Sequence, residues 1–518
     1  MSYSRTKRLR YQGRHLNNSE EKRPSLRQLR VKLPWGLLLG LSALLSLLSV
    51  ANPFLTRFAD SLQTQALYTG QAFLAGHVPY MDFYSSGGLI YHVLLLLGSV
   101  LGNSLGLMVV QFVLVLLAGI AFYKCLFQLT GLAELSRQML LAFYLCVGIL
   151  AWGGLYAPLF ALPFVLYGLL FLIKYLAGES RDEGFILYGV NGALVFLIDP
   201  KSSLLWLTAG LVLLVYNVKQ GQKARGLYQL LATVFGFSLI LYTVGYYTIL
   251  YQNVGAAIEQ TVLVPLQSLG RWQEEPLLFF FLLAVYLLGT GLLTSFIYGG
   301  FSLIRPENRA SKVLLYLTML VAVALALLTP QFSPSHLLLV LPYGLVLTAS
   351  YIAERSVFSQ LSDSEEGAAE EEWLGDTAPV TSYWALNAFL PILASLYLIA
   401  YPAWLWFDQG AVQAERQEIA SKIAEETSKK DLIYAWDDSA SIYLTSQRFA
   451  SAEIIIPDTY NITDGQQKAL TLALGYDRAK IVVVNQDLDL PETVAHHLEE
   501  NYQEVATNLS QFKLYQLK

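Results

Sequence analysis

Residues 87–102 read GGLIYHVLLLLGSVLG, and whether this run crosses a bilayer sets the sidedness of everything after it. As a helix it would be about 24 Å long, shorter than a hydrocarbon layer of roughly 30 Å. It carries His92, with glycines at both ends. Around it lie eleven clearer apolar runs, at 34–52, 105–123, 139–156, 157–175, 184–198, 202–217, 227–250, 277–303, 312–329, 335–352 and 384–407. The chain of 518 residues is 55% hydrophobic and 14% charged. An ordinary soluble domain carries about a quarter charged residues, so this composition excludes a plain soluble enzyme.

Charge parity decides the ambiguous run, because basic residues concentrate on the cytoplasmic side of short loops. If 87–102 does not cross, the cytoplasmic loops hold Lys124, Arg137, Lys174, Arg181, Lys219, Lys223, Arg225, Arg305, Arg309, Lys312 and Arg355. The opposite short loops then hold only Arg57, Lys201 and Arg271, eleven basic residues against three. The opposite parity inverts that ratio. Residues 87–102 therefore read as a re-entrant or juxtamembrane helix on the outer side. The segment 1–33, with ten Lys or Arg ahead of the first run and no A-x-A cleavage pattern after it, reads as a cytoplasmic basic tail before an uncleaved anchor.

The expected fold is thus an α-helical polytopic membrane protein over 34–407, with about 11 transmembrane helices plus the outer juxtamembrane helix. A small extracytoplasmic α/β domain is expected over 408–518. In that domain β-branched runs alternate with amphipathic segments: strands at 431–436, 453–456, 480–484 and 512–517, helices at 439–446, 464–474 and 491–506. The insert 353–383 holds eight acids and few apolar residues, and reads as a disordered cytoplasmic linker. Net charge is −5, which gives no basic excess for nucleic acid. Cys125 and Cys146 both fall in or beside apolar runs, which excludes a disulfide framework for the external domain and a zinc ribbon. His496 and His497 are adjacent on a helix and diverge. The sequon Asn461-Ile462-Thr463 is too short a pattern to carry weight.

Chemistry is best sought in the outer loop 53–102, the longest polar-to-amphipathic stretch between two spans. Asp60 opens the helical pattern DSLQTQALYTGQAFLAG, in a position typical of a helix N-cap. Asp82 sits near Tyr80, Phe83 and Tyr84, and would serve as a turn cap if it has no other role.

The order Asp60, helix to Gly76, then Gly76-His77-Val78-Pro79-Tyr80-Met81-Asp82-Phe83 and a short apolar helix from Leu89 resembles the first outer loop of bacterial GT-C superfamily membrane glycosyltransferases. Those enzymes take sugars from polyprenyl-phosphate carriers, and include the protein mannosyltransferase and aminoarabinose transferase types. The overall plan of cytoplasmic N-terminus, many spans and external α/β domain is similar too. The chain departs at Ser85-Ser86-Gly87-Gly88, where such proteins often carry Lys-Pro-Pro or Lys-Gly-Pro, so a donor contact from that turn does not carry over.

The resemblance implies that Asp60 is catalytic, either taking the proton of the acceptor hydroxyl or holding a divalent metal near the phosphate. Asp82 and Tyr80 would support the substrate pocket. Lys201, in FLIDPKSSLLW, and Arg271 are the outer cations suited to a leaving phosphate; as simple interface residues they would snorkel or anchor instead. His336, in QFSPSHLLLVLP, resembles a His-Tyr position of the family, although a lone His is usually structural. No cofactor is readable. The implied function is transfer of a sugar from a polyprenyl-phosphate donor to a wall glycopolymer, lipid-linked glycan or surface protein, at the outer face of a bacterial, Gram-positive cell membrane. The alternative is a non-enzymatic transporter, flippase or accessory subunit of a cell-wall glycan assembly complex. Against transport, ionisable residues sit at span ends rather than mid-membrane.

Overall fold

The computed structural model describes residues 32–518 except 103, 273–274, 367–382, 458–467, 469, 473, 475–478 and 508. The membrane domain begins with α1 (Trp35–Leu47), followed by two further short helices, α2 (Ser61–Leu74) and α3 (Leu89–Ser99). Then come α4 (Leu105–Thr130), α5 (Ala133–Leu150), α6 (Ala157–Leu176), α7 (Gly184–Ile198), α8 (Leu204–Lys219) and α9 (Lys223–Leu250). The bundle closes with α10 (Pro276–Gly289), α11 (Leu292–Ser302), α12 (Arg309–Leu327), α13 (Leu341–Glu366) and α14 (Phe389–Glu426).

Each predicted span overlaps at least one helix. Among the described residues, seven helices are long and apolar enough to cross a bilayer, and α10 with α11 makes an eighth if the pair is one span. That pair bends by 67°, and the bend sits at Gly291, whose φ of +71° suits a residue without a Cβ. α3 spans 11 residues, about 16 Å, too short to cross. The short apolar run therefore forms a short helix, as expected.

The loops that parity assigns to one side meet at one end of the bundle. Gly88 N donates to Ile198 O at 3.0 Å, Tyr91 OH to Leu155 O at 2.6 Å, Asn253 Nδ2 to Pro79 O at 2.8 Å, and Gly270 N to Leu328 O at 2.7 Å. The departing turn is a structural tie at this end. A Cβ on Gly88 would lie 2.2 Å from the Leu197 carbonyl oxygen, so glycine permits the close approach of the turn to α7.

Two expectations need correction. α13 runs on to Glu366, so the first part of the acidic insert is helical; the rest of that linker expectation, like the sequon, lies outside the described residues. α14 passes unbroken through residue 408 and ends at Glu426, so the last apolar helix also forms the base of the C-terminal domain.

The C-terminal sheet has the order β1-β2-β4-β3, with β1 (Ile433–Trp436) parallel to β2 (Ile481–Asn485) and the pairs of β4 (Phe512–Leu517) with β2 and with β3 (Tyr502–Val505) antiparallel. α15 (Ser441–Ser446) and α16 (Glu492–Asn501) complete it. Strand β3 lies where a helix was expected to continue; Gln503 and Glu504 favour helix locally, but edge pairing with β4 prevails. The predicted strand 453–456 is absent. Ile454, Ile455 and Ile456 are buried without a ladder, and Glu453 O instead accepts from Tyr84 N at 2.8 Å.

A single core joins this domain to the membrane part. Tyr68 and Ala72 of α2, Phe83, and Ile419 and Ile423 of α14 pack with Ile433, Ile442, Tyr443, Val483 and Leu514. The C-terminal domain is fused to the first loop rather than hung beside it.

Candidate functional site around Asp60

Asp60 is the N-cap of α2 and forms a capping box with Gln63. Its Oδ1 accepts from Gln63 N at 2.8 Å, and Gln63 Oε1 accepts from Asp60 N at 3.0 Å. That leaves Oδ2, which accepts from Tyr156 OH at 2.5 Å. Asp60 is exposed to solvent at the start of α2, with protein packed around its carboxyl. Enclosure raises its pKa above the ordinary carboxylate value, while Tyr156 and the amides of Gln63 and Leu62 oppose the rise.

The turn between α5 and α6 holds this arrangement. Gly153, Gly154 and Leu155 all have positive φ, at +76°, +73° and +65°. Leu155 gains nothing locally from that conformation, so its surroundings must impose it. The turn's carbonyls receive three separate elements. Gln63 Nε2 donates to Trp152 O at 2.7 Å and to Gly154 O at 3.0 Å; Val50 N, just past α1, donates to Gly153 O at 2.8 Å; and Tyr91 of α3 donates to Leu155 O. One strained turn thus gathers the ends of α1, α2 and α3, and presents Tyr156 to Asp60. Sequence reading missed Tyr156 and Gln63. The signals were the D-x-x-Q spacing of a capping box and the Gly-Gly pair directly between two spans.

Of the other predicted residues, Lys201 and His336 fall in the same region. Tyr91 is close enough to Asp60 and to Asp199 for each charge to be felt at its hydroxyl. The Lys201 charge reaches both Asp199 and His336. Asp199 is buried and spends Oδ2 on Ser202, accepting from its hydroxyl at 2.5 Å and its amide at 3.2 Å. Among the described residues, no carboxylate lies within ion-pairing distance of Lys201, and His336 Nδ1 is buried without a hydrogen-bond partner. Lys201 thus has Asp199 as a charged neighbour without a direct ion-pair contact among the described residues.

The structure places the other three predicted residues as follows. Tyr80 is buried and donates to Gly87 O at 2.9 Å, so its hydroxyl is spent on the turn. Asp82 is exposed and accepts from Val78 N at 2.6 Å, with His77 Nδ1 at 3.8 Å; it caps a turn lining a different cleft, of about 440 Å³, against the C-terminal domain. Arg271 is exposed in its loop, and no described contact ties it to Asp60. As for a metal, no group of three His, Cys, Asp or Glu side chains gathers among the described residues, so Asp60 alone does not make a fitting metal site. Gln260, from a π-helical turn at 259–263, supports the wall by accepting from Ser85 N at 3.1 Å and donating to Tyr80 O at 3.2 Å.

Comparison with known proteins agrees with this architecture. The fold is similar to the crystal structure of ArnT from Cupriavidus metallidurans bound to undecaprenyl phosphate, with a TM-score of 0.55, 11% identity, and coverage of 93% of this chain and 97% of that one. The apo form of the same protein gives a TM-score of 0.52 at 12% identity, with the same coverage. A search of curated protein sequences returns no match. Residues 413–518 match the Ccs4 C-terminal domain family, and residues 25–409 match the competence-induced Ccs4 N-terminal domain family. The chain is therefore a member of the competence-induced Ccs4 family, built on the GT-C fold.

Proposed function

We propose that the protein transfers a sugar from a polyprenyl-phosphate donor to a cell-envelope acceptor at the outer face of a bacterial cell membrane. The observation that carries this reading is the exposed Asp60 carboxylate at the N-cap of α2, held on both oxygens by Gln63 and Tyr156, at the end of the bundle that also bears Lys201. The end bearing these groups is the outer one on charge parity, since the basic loops cluster at the other end.

The chemistry follows from the placement. An acceptor hydroxyl attacks the anomeric carbon, and its proton passes to Asp60. The bond from that carbon to the phosphate oxygen breaks, and the polyprenyl phosphate leaves with the electron pair. Lys201 offsets the charge that develops on the leaving oxygen. Tyr156 holds the acid in place and favours its ionised form between turnovers. The acceptor is a wall glycopolymer, lipid-linked glycan or surface protein.

The test is transfer of labelled sugar by purified protein in liposomes, offered a panel of polyprenyl-phosphate sugars and envelope acceptors. Transfer by the wild type and at least a hundredfold loss in Asp60→Asn is the expected result, the scale of a lost general base. Undiminished transfer by Asp60→Asn removes Asp60 from the reaction. Wild-type protein inert across the whole panel moves the reading to an accessory subunit.

A further inference from the structure

The C-terminal domain reaches the acid through a short series of polar contacts. Arg416 lies on the part of α14 beyond the predicted span and is 5% exposed. Its Nε and Nη2 each donate to a different oxygen of the buried Asp437, both at 2.7 Å, and Nη2 also pairs with Asp438. Asn485 Nδ2 at the end of β2 adds a third bond to Asp437, at 2.9 Å. The loop after β1 is therefore fixed to α14 and to the sheet. Its next residues grip the first turn of α2: Ser61 Oγ donates to Asp438 O at 2.6 Å, and Ala440 N donates to Thr64 Oγ1 at 3.2 Å. Ser61 follows Asp60 directly, and Thr64 N closes the first helical bond on Asp60 O at 2.8 Å.

A buried ion pair is a weak device for stability, because desolvation of both charges offsets most of the attraction. What a forked, doubly bonded pair does supply is a fixed geometry. Here that geometry terminates at the N-cap of the helix that carries the acid.

We infer that Arg416 is a positioning residue for Asp60: through Asp437, Asp438 and Ala440 it holds the first turn of α2, and with it the N-cap acid, in place. This gives the C-terminal domain a task within the site. The kinetic part of the inference rests on the transferase reading; the structural part does not.

The experiment uses the full chain in liposomes and two variants, each with two readouts. Arg416→Gln removes the fork. Ser61→Ala leaves the ion pair intact and removes the Ser61 hydroxyl's hold on Asp438 O, so it decides the matter if Arg416→Gln does not fold. Hydrogen exchange of the peptide covering residues 60–68 is expected to speed up at least tenfold in either variant, as the first turn loosens. In the transfer assay kcat is expected to fall roughly tenfold to a hundredfold while KM for donor and acceptor stays within about twofold, the signature of a misplaced catalytic group. Arg416→Lys, which keeps the charge without the fork, is expected to recover part of both. Unchanged exchange in a folded variant overturns the inference, and so does a loss carried entirely by KM. If the wild type transfers nothing, the transferase reading fails, and the exchange result still decides whether Arg416 holds α2.

Discussion

The two ends of the helical bundle treat charge differently. At the end away from Asp60, Lys312 is fully buried and spends its ammonium on Glu354 at 2.6 Å and on the carbonyl of Ser302 at 3.0 Å. Arg225 there meets Asp182 at 2.8 Å. At the Asp60 end, the acid's partners are neutral and Lys201 has no carboxylate within reach among the described residues. Where charge serves structure it is neutralised inside the protein. Lys201 is left without such a contact, and on the proposed function the donor phosphate has the sign to meet it.

The sharpest way to break that comparison is to remove one lysine from each end. Lys201→Met is expected to lower kcat/KM for the donor by roughly a hundredfold, since an electrostatic contact at the leaving group is lost, with little change in thermal stability. Lys312→Met is expected to do the reverse, costing about 3–5 kcal/mol by leaving Glu354 buried and unpaired while the surviving folded protein keeps its kcat. Thermal unfolding and transfer assays on the two variants together check this. Equal loss of stability in both would mean that Lys201 is structural too.

The turn between α5 and α6 offers a second test, because it serves the site without belonging to it. Gly154→Ala places a Cβ 2.1 Å from Gln111 Oε1 at a φ of +73°. Strain of about 1–3 kcal/mol is expected, seen as a lower unfolding temperature. Activity should fall with it, since Tyr156 and the Gly154 carbonyl that Gln63 binds move with the turn. Stability lost without activity would separate the turn from the acid.

How much of this was legible beforehand differs between the same two regions. The spans, the short helix at 87–102 and the grouping of loops at one end follow from apolar length and basic-residue parity, which depend on the bilayer and little on tertiary detail. Asp60 was legible because an acid at an N-cap is a local pattern. Tyr156 was not: its partner lies 96 residues away, and only the Gly-Gly pair before it hinted at an unusual turn. The local hydrogen bonds of Tyr80 and Asp82 were not legible either, because motif order carries no information on which side chains a tight turn consumes. In the C-terminal domain, α14 crossed the composition boundary at 408 because a helix can change environment without changing backbone geometry.

The pH dependence of transfer sharpens the role of Asp60. Enclosure raises its pKa, so the protonated, inactive form persists to a higher pH than for an ordinary carboxylate. The rate should therefore fall on acidification with a midpoint above the usual carboxylate range. Tyr156 opposes the rise by bonding to the ionised form, so Tyr156→Phe should move that midpoint further up and leave the alkaline side unchanged. A midpoint that moves down would mean that the Tyr156 hydroxyl bonds preferentially to the protonated acid.

The smallest expected effect concerns the seam between the first loop and the C-terminal domain. Glu453 lines the cleft beside His77 and Asp82, its backbone oxygen holds Tyr84, and burial followed by the nearby charge of Glu259 pushes its carboxyl up to about 6. A folded-state value above the unfolded one means that the neutral form is favoured in the fold. The stabilisation is complete below the unfolded value and is lost as pH rises through about 6. Above that, Glu453 carries its charge in a partly buried place with the Glu259 charge nearby, at a cost on the order of 1–2 kcal/mol. Glu453→Gln keeps the shape and removes the charge, so it should raise the unfolding temperature at pH 8 and leave it nearly unchanged at pH 5. A variant equally stabilised at both values would show that packing around Glu453, and not its ionisation, limits how tightly the two parts of the seam join.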